Sequence, residues 1–156
     1  MSLRKLKLSE LKSFDYAFGP EIGGKMADVG RTVGSKTIGL MIQTVAPGRF
    51  SSRRHKHLFQ EEILIVMEGK ATLHHGQQRI PMSAGDCVCY LPEDAEAHNF
   101  ENTGKTDLVV WAFGNRFPYE VALYPDQGVA FVEGLGRDVP LEAGTTSEWT
   151  EDRRKR

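Results

Sequence analysis

Between Thr37 and Phe113 no helical period is sustained, while turn signals arrive about every eight to twelve residues. That spacing is the strongest constraint the sequence carries. Thr37 to Val45 reads as a strand and Pro47-Gly48 ends it. A polar strand from Arg49 to His57 follows, then Glu62 to Met67, with Glu68-Gly69 as the next turn. Ala71 to His74 and Gln77 to Ile80 form a hairpin around His75-Gly76. Pro81 to Gly85 turns, Asp86 to Leu91 is a strand, and Pro92-Glu-Asp-Ala is a loop. His98 to Asn102 and Leu108 to Phe113 complete the set, separated by Thr103-Gly-Lys-Thr. Strands this short, with no crossover helices between them, predict an all-β sandwich or barrel and exclude a parallel βαβ fold.

Three regions follow. Residues 1–36 are read as an irregular N-terminal arm, 37–114 as the barrel core, and 115–156 as an extension packed on it. Within the extension, Tyr119 to Tyr124 and Val129 to Val132 are candidate extended segments, and Arg153 to Arg156 a solvated tail. The 156 residues suit one domain. A net charge of -1 gives no overall field toward nucleic acid or an anionic membrane. No apolar run nears the roughly 20 residues needed to span a bilayer, and the N-terminus lacks a signal-peptide core, so a soluble cytoplasmic chain is expected. Cys87 and Cys89 are too close along one strand to bridge and read as small buried thiols.

The chemistry concentrates in His55-Lys-His57-Leu-Phe-Gln-Glu61-Glu62. On a strand, alternate side chains share a face, so His55 and His57 point one way and Lys56 the other. A carboxylate entering from the next strand adds a third ligand for a transition metal. The competing reading is a polar hairpin without a metal. Glu61 reads as an exposed loop carboxylate, and His74 and His75 as residues of a solvated turn. Gly30 to Thr37 nearly spells a phosphate-binding loop, but Ser35 stands where its second glycine is needed and no helix pattern follows.

Both faces of Glu62 to Met67 are apolar: Leu64 and Val66 behind Glu62 on one, Ile63, Ile65 and Met67 on the other. Leu108 to Phe113 is similar. A strand with one wet face would alternate, so something covers the outer side, and a homodimer is expected.

The whole pattern resembles the cupins, small jelly-roll proteins of the double-stranded β-helix type. Their first motif matches Gly48, His55, His57, Glu62 and Gly69, with one extra residue between Gly48 and His55. Their second matches Gly85-Asp86, Pro92, His98 and Asn102, with an added residue on each side of Pro92 and no glycine after it. Pro118-Tyr-Glu-Val-Ala-Leu-Tyr-Pro-Asp126 resembles a stretch that follows the barrel in a branch of single-domain cupins described as sugar-phosphate-isomerase-like. The resemblance implies a cupin barrel and adds His98 as a fourth ligand to His55, His57 and Glu62. It implies one divalent ion among Fe, Mn, Ni, Zn and Cu.

The expected function is a metal-binding cupin that coordinates a small organic ligand. As an enzyme it would be a dioxygenase-type oxidoreductase or a sugar or sugar-phosphate isomerase; otherwise it is a non-catalytic binding module with a structural metal. No second general base stands out beside the ligands, which favours oxygen chemistry among the enzyme readings. Arg53, on the face of His55 and His57, is a candidate for holding a substrate carboxylate or phosphate. Phe100, with Leu64 and Val66, is expected to wall the cavity.

Overall fold

The computed structural model describes residues 4–92 and 94–141. In chain order the strands are β1 (Phe14–Phe18), β2 (Ile22–Asp28), β3 (Ile38–Val45), β4 (Lys56–His57), β5 (Glu62–Glu68), β6 (Lys70–His75) and β7 (Gln78–Ser83). They continue with β8 (Cys87–Tyr90), β9 (His98–Asn102), β10 (Leu108–Asn115), β11 (Val121–Tyr124), β12 (Val129–Val132) and β13 (Arg137–Pro140). One short helix, α1 (Val29–Thr32), follows β2.

A six-stranded sheet runs β1-β2-β3-β10-β5-β8, a three-stranded sheet β7-β6-β9, and a four-stranded sheet β13-β12-β11-β4. All the strand pairings are antiparallel. The first two sheets close over one core, to which β3, β5 and β10 give Val45, Leu64, Val66, Leu108 and Val110, and β6 and β9 give Leu73 and Phe100. This is the jelly-roll arrangement of a double-stranded β-helix, with open sheets rather than a closed barrel.

The alternation in β9 works as expected. His98, Phe100 and Asn102 share the inner face and are 1%, 1% and 0% exposed. Each plays a different part: Phe100 fills the core, His98 enters the site, and Asn102 organises backbone. Its amide donates to the carbonyls of Val45 and Thr106 at 2.7 and 2.9 Å, and its oxygen accepts from Gly104 N–H at 2.9 Å. Gly69 turns β5 into β6 at φ +85°, and a Cβ there would stand 2.6 Å from the Asp107 carbonyl oxygen, so this turn admits only glycine.

Four expectations need correction. The N-terminal region is not irregular: β1 and β2 extend the large sheet, pairing in register from Phe14↔Met26 to Phe18↔Ile22. Their glycines hid the strand signal, yet Gly23 and Gly24 are needed, because a Cβ on either would collide with the backbone of the neighbouring strand. The polar strand expected from Arg49 to His57 is regular only at Lys56–His57; Phe50 and His55 bridge singly to Glu101 and His98. Pro81 sits inside β7, which tolerates it as an edge strand. Cys87 and Cys89 are exposed rather than buried, because they face outward from β8 opposite Ile65 and Ile63. The extended segments after the core exist as β11 and β12. The basic tail lies outside the described residues.

Candidate metal centre

Backbone pairing brings the candidate ligands together. His55 and His98 exchange both hydrogen bonds, His98 N–H to His55 O at 2.8 Å and His55 N–H to His98 O at 3.0 Å. Their imidazole centroids lie 4.8 Å apart, and that of His57 lies 5.0 Å from that of His55. Glu62 opens β5 and points inward beside them, its Oε2 3.1 Å from His98 Nε2 and 4.0 Å from His57 Nε2.

Ligand atoms of His55, Glu62 and His98 all lie within 4.8 Å of one another. Donors about 2.1 Å from one ion would stand roughly 3 to 4.2 Å apart, so a small contraction closes these three around an ion. His57 Nε2 is buried without any hydrogen-bond partner and stands near a carboxylate oxygen. An orphaned imidazole nitrogen beside an anionic oxygen is what a cation between them would satisfy. The donor set of imidazoles and one carboxylate fits a borderline transition metal.

The electrostatics favour the ligating protonation states. Burial pushes the His55 imidazolium down to about 3, and the neighbouring His98 and His57 add to the effect. For Glu62 burial acts upward, but the His98 hydrogen bond and the charges of the histidines outweigh it and hold the carboxyl at about 2. The site therefore presents a neutral His55 and an ionised Glu62 at neutral pH. His57 is raised: burial opposes its charge, and Glu120 and Glu62 more than offset that.

Two residues that the sequence reading missed complete the surroundings. Tyr90 stacks on His98, and Glu120 lies 3.3 Å from His57 Nδ1. Glu120 also sets a carboxylate beside His57, where the sequence offered no second general base next to the candidate ligands. It is 63 residues from His57 in sequence, and only the antiparallel pairing Ala122↔His57 places it there. The one available signal was the Pro118 to Asp126 stretch, which contains it.

A cavity of about 760 Å³ reaches the site, with Glu62, Glu120, Gln60, Met41, Ala112 and Arg116 among its lining residues. Its apolar lining comes from Met41, Ala112, Phe14, Phe117 and Pro118. Phe100 instead packs in the core with Leu64 and Val66, because the inner face of β9 behind His98 is covered by the large sheet. Arg53 turns to the four-stranded sheet: its guanidinium donates to both Asp138 oxygens at 2.7 and 3.2 Å and lies 3.7 Å over the Tyr124 ring. Its charge is committed there.

Residues 41–113 match the family model of the cupin domain. The chain carries a cupin domain. Its fold superposes on a cupin-superfamily sugar phosphate isomerase from Silicibacter pomeroyi with TM-score 0.77 and 26% identity, covering 89% of this chain and 97% of that one. The oxalate-binding protein of Thermotoga maritima is 41% identical over 54 residues, 35% of this chain and 43% of that protein. Auxin-binding protein 1 of Arabidopsis thaliana is 31% identical over 102 residues, 60% of this chain and 50% of that protein. The chain thus spans half or less of the length of these two relatives. Among the described residues, no helix is long and apolar enough to cross a membrane.

Proposed function

We propose that His55, His57, Glu62 and His98 hold one divalent transition metal, and that the cupin binds a small organic anion at that ion. The observation that carries the reading is the buried, partnerless Nε2 of His57 beside a three-residue cluster of ligand atoms within 4.8 Å. Fe, Mn, Ni, Zn and Cu all suit the donor set. A six-coordinate ion keeps two positions beyond these four ligands, and Glu62 of the proposed set lines the cavity from which a small ligand would approach. Oxalate, auxin and sugar phosphates, the molecules named for the relatives, all carry an anionic oxygen group that a metal can bind. The ion would act as a Lewis acid toward such a group or as a site for oxygen chemistry.

Two readings remain distinct. The names of the two curated relatives support a binding module; the structural neighbour's name supports an isomerase. Calorimetric titration of the metal-loaded protein with oxalate, an aromatic acid and a sugar phosphate tests the shared core of both. Saturable binding that disappears in His57→Ala is expected; no metal-dependent binding of any of the three contradicts the proposal. Oxygen uptake and ketose–aldose conversion with the same compounds then separate enzyme from module.

The assembly proposed is a homodimer through the outer face of the large sheet. Trp111 lies between Ile42 and Ile65 in register, and Phe113 between Leu40 and Ile63. Ile63 and Met67 are 40% and 41% exposed there. The row contains no charged side chain, so a copy of the same face is a chemically matched cover.

A further inference from the structure

Glu120 lies outside the matched cupin segment, in the turn before β11. It is 8% exposed, an unusual burial for a carboxylate. Its Oε1 is 3.3 Å from His57 Nδ1 and 3.2 Å from the Leu58 N–H, while its Oε2 is buried without a partner. Main-chain bonds fix its position: Glu120 N–H donates to Phe117 O at 3.2 Å, and Glu133 N–H donates to Glu120 O at 2.9 Å. The backbone of Glu120 is therefore held by the loop before β11 and by the segment after β12, while its carboxylate reaches across to the cupin segment at His57 and Leu58.

We propose that Glu120 is a positioning residue for His57: by accepting the Nδ1–H it fixes the tautomer whose Nε2 lone pair faces Glu62 and the metal. Glu120 Oε1 already accepts from the Leu58 N–H, and as the acceptor here too it places the shared hydrogen on Nδ1. The nitrogen left bare is then Nε2, the atom that stands 4.0 Å from Glu62 Oε2. The same bond sets the ring plane, because Leu58 N–H holds the accepting oxygen from the other side. His57 is the ligand that most needs this help, since it lies outside the tight cluster formed by His55, Glu62 and His98. The C-terminal hairpin thereby becomes part of the metal centre.

This inference rests on the metal reading, yet its first test needs no metal. Long-range 1H–15N NMR of the metal-free protein, above the raised pKa of His57, reads the tautomer directly. Wild type and Glu120→Gln are expected to show His57 protonated at Nδ1, because the glutamine amide oxygen accepts in the same place. Glu120→Ala is expected to lose that preference. Competition with a chromogenic chelator then gives zinc affinity, with a fall of about 10–100-fold for the alanine variant and recovery to near wild type with glutamine. Wild-type His57 protonated at Nε2 overturns the proposal, and so does an alanine variant with unchanged tautomer and affinity. Should Glu120→Ala fail to fold, the wild-type and glutamine spectra decide alone. A protein with the expected tautomer that binds no metal would overturn the metal reading and leave the Glu120–His57 pairing standing.

Discussion

The Tyr90 ring lies flat on the His98 imidazole, with centroids 3.6 Å apart and planes 5° apart. Register explains the contact: Tyr90 pairs with Glu62 across β8 and β5, so the stacking residue arrives beside the carboxylate that His98 faces. The stack fixes the plane of His98 while its Nε2 remains directed at Glu62. The Tyr90 hydroxyl is buried without a partner.

From this stack two opposite outcomes follow at one position. Tyr90→Phe keeps the ring and removes an unsatisfied hydroxyl, so urea unfolding should show stability within about 1 kcal/mol of wild type or above it. Tyr90→Ala should lose about 3–5 kcal/mol and weaken metal retention, because it opens a cavity against His98. Equal losses in both variants would mean that the hydroxyl, not the stack, matters.

Asn102 should be intolerant of every near-isostere. Leucine removes the buried bond to Val45 O and the half-buried bonds to Thr106 O and from Gly104 N–H, and an ionised aspartate cannot donate to Val45 O or Thr106 O. Either change should cost at least about 2 kcal/mol in chemical denaturation, given about 1–3 kcal/mol for each buried group left unpaired.

The metal-free protein should lose stability on acidification below about pH 6.5. His55 is held down to about 3, so from its unfolded value of roughly 6.5 downward the unfolded chain takes up a proton that the folded one refuses. Glu62, held at about 2, adds a loss below its unfolded value as the pH falls. His57 has the opposite sign: its raised value stabilises the fold below its unfolded pKa, and that contribution fades only as pH rises through the folded one. Below pH 6.5 its term is constant, so the slope belongs first to His55 and then to Glu62, joined in the carboxylate range by Asp126 and Asp138, which Arg54 and Arg53 hold down. Denaturation curves of His55→Gln should be flatter between pH 6.5 and 4.5 than those of wild type.

The dimer face makes the two thiols reporters. Cys89 and Cys87 stand beside Ile63 and Ile65 on the outer side of the sheet and are exposed in the single chain. In the proposed dimer they should react slowly with a thiol reagent, and Trp111→Glu should yield a monomer by sedimentation in which both react quickly. A monomeric wild type with two fast thiols would contradict the assembly.

Legibility in the sequence tracked the kind of signal each element carries. The core strands announce themselves through β-branched runs between glycine and proline turns, and β9 through strict alternation at His98, Phe100 and Asn102. The four candidate ligands could be singled out because short spacings select His55, His57 and Glu62 and the cupin resemblance adds His98. Gly23 and Gly24 concealed β2, since a strand that needs close backbone approach is written with residues that weaken the strand pattern. Arg53 shares a chain direction with His55, but Asp138 reaches it from 85 residues away. Glu120 and Tyr90 meet the histidines only through strand register. Long-range pairing of this sort leaves no local trace.

The most direct test is elemental analysis of protein purified without added metal, for wild type and for His57→Ala. The account predicts about one equivalent of iron, manganese, nickel, copper or zinc in the wild type, lost or strongly reduced in the variant. A wild type that carries no metal and takes up none on reconstitution would contradict it.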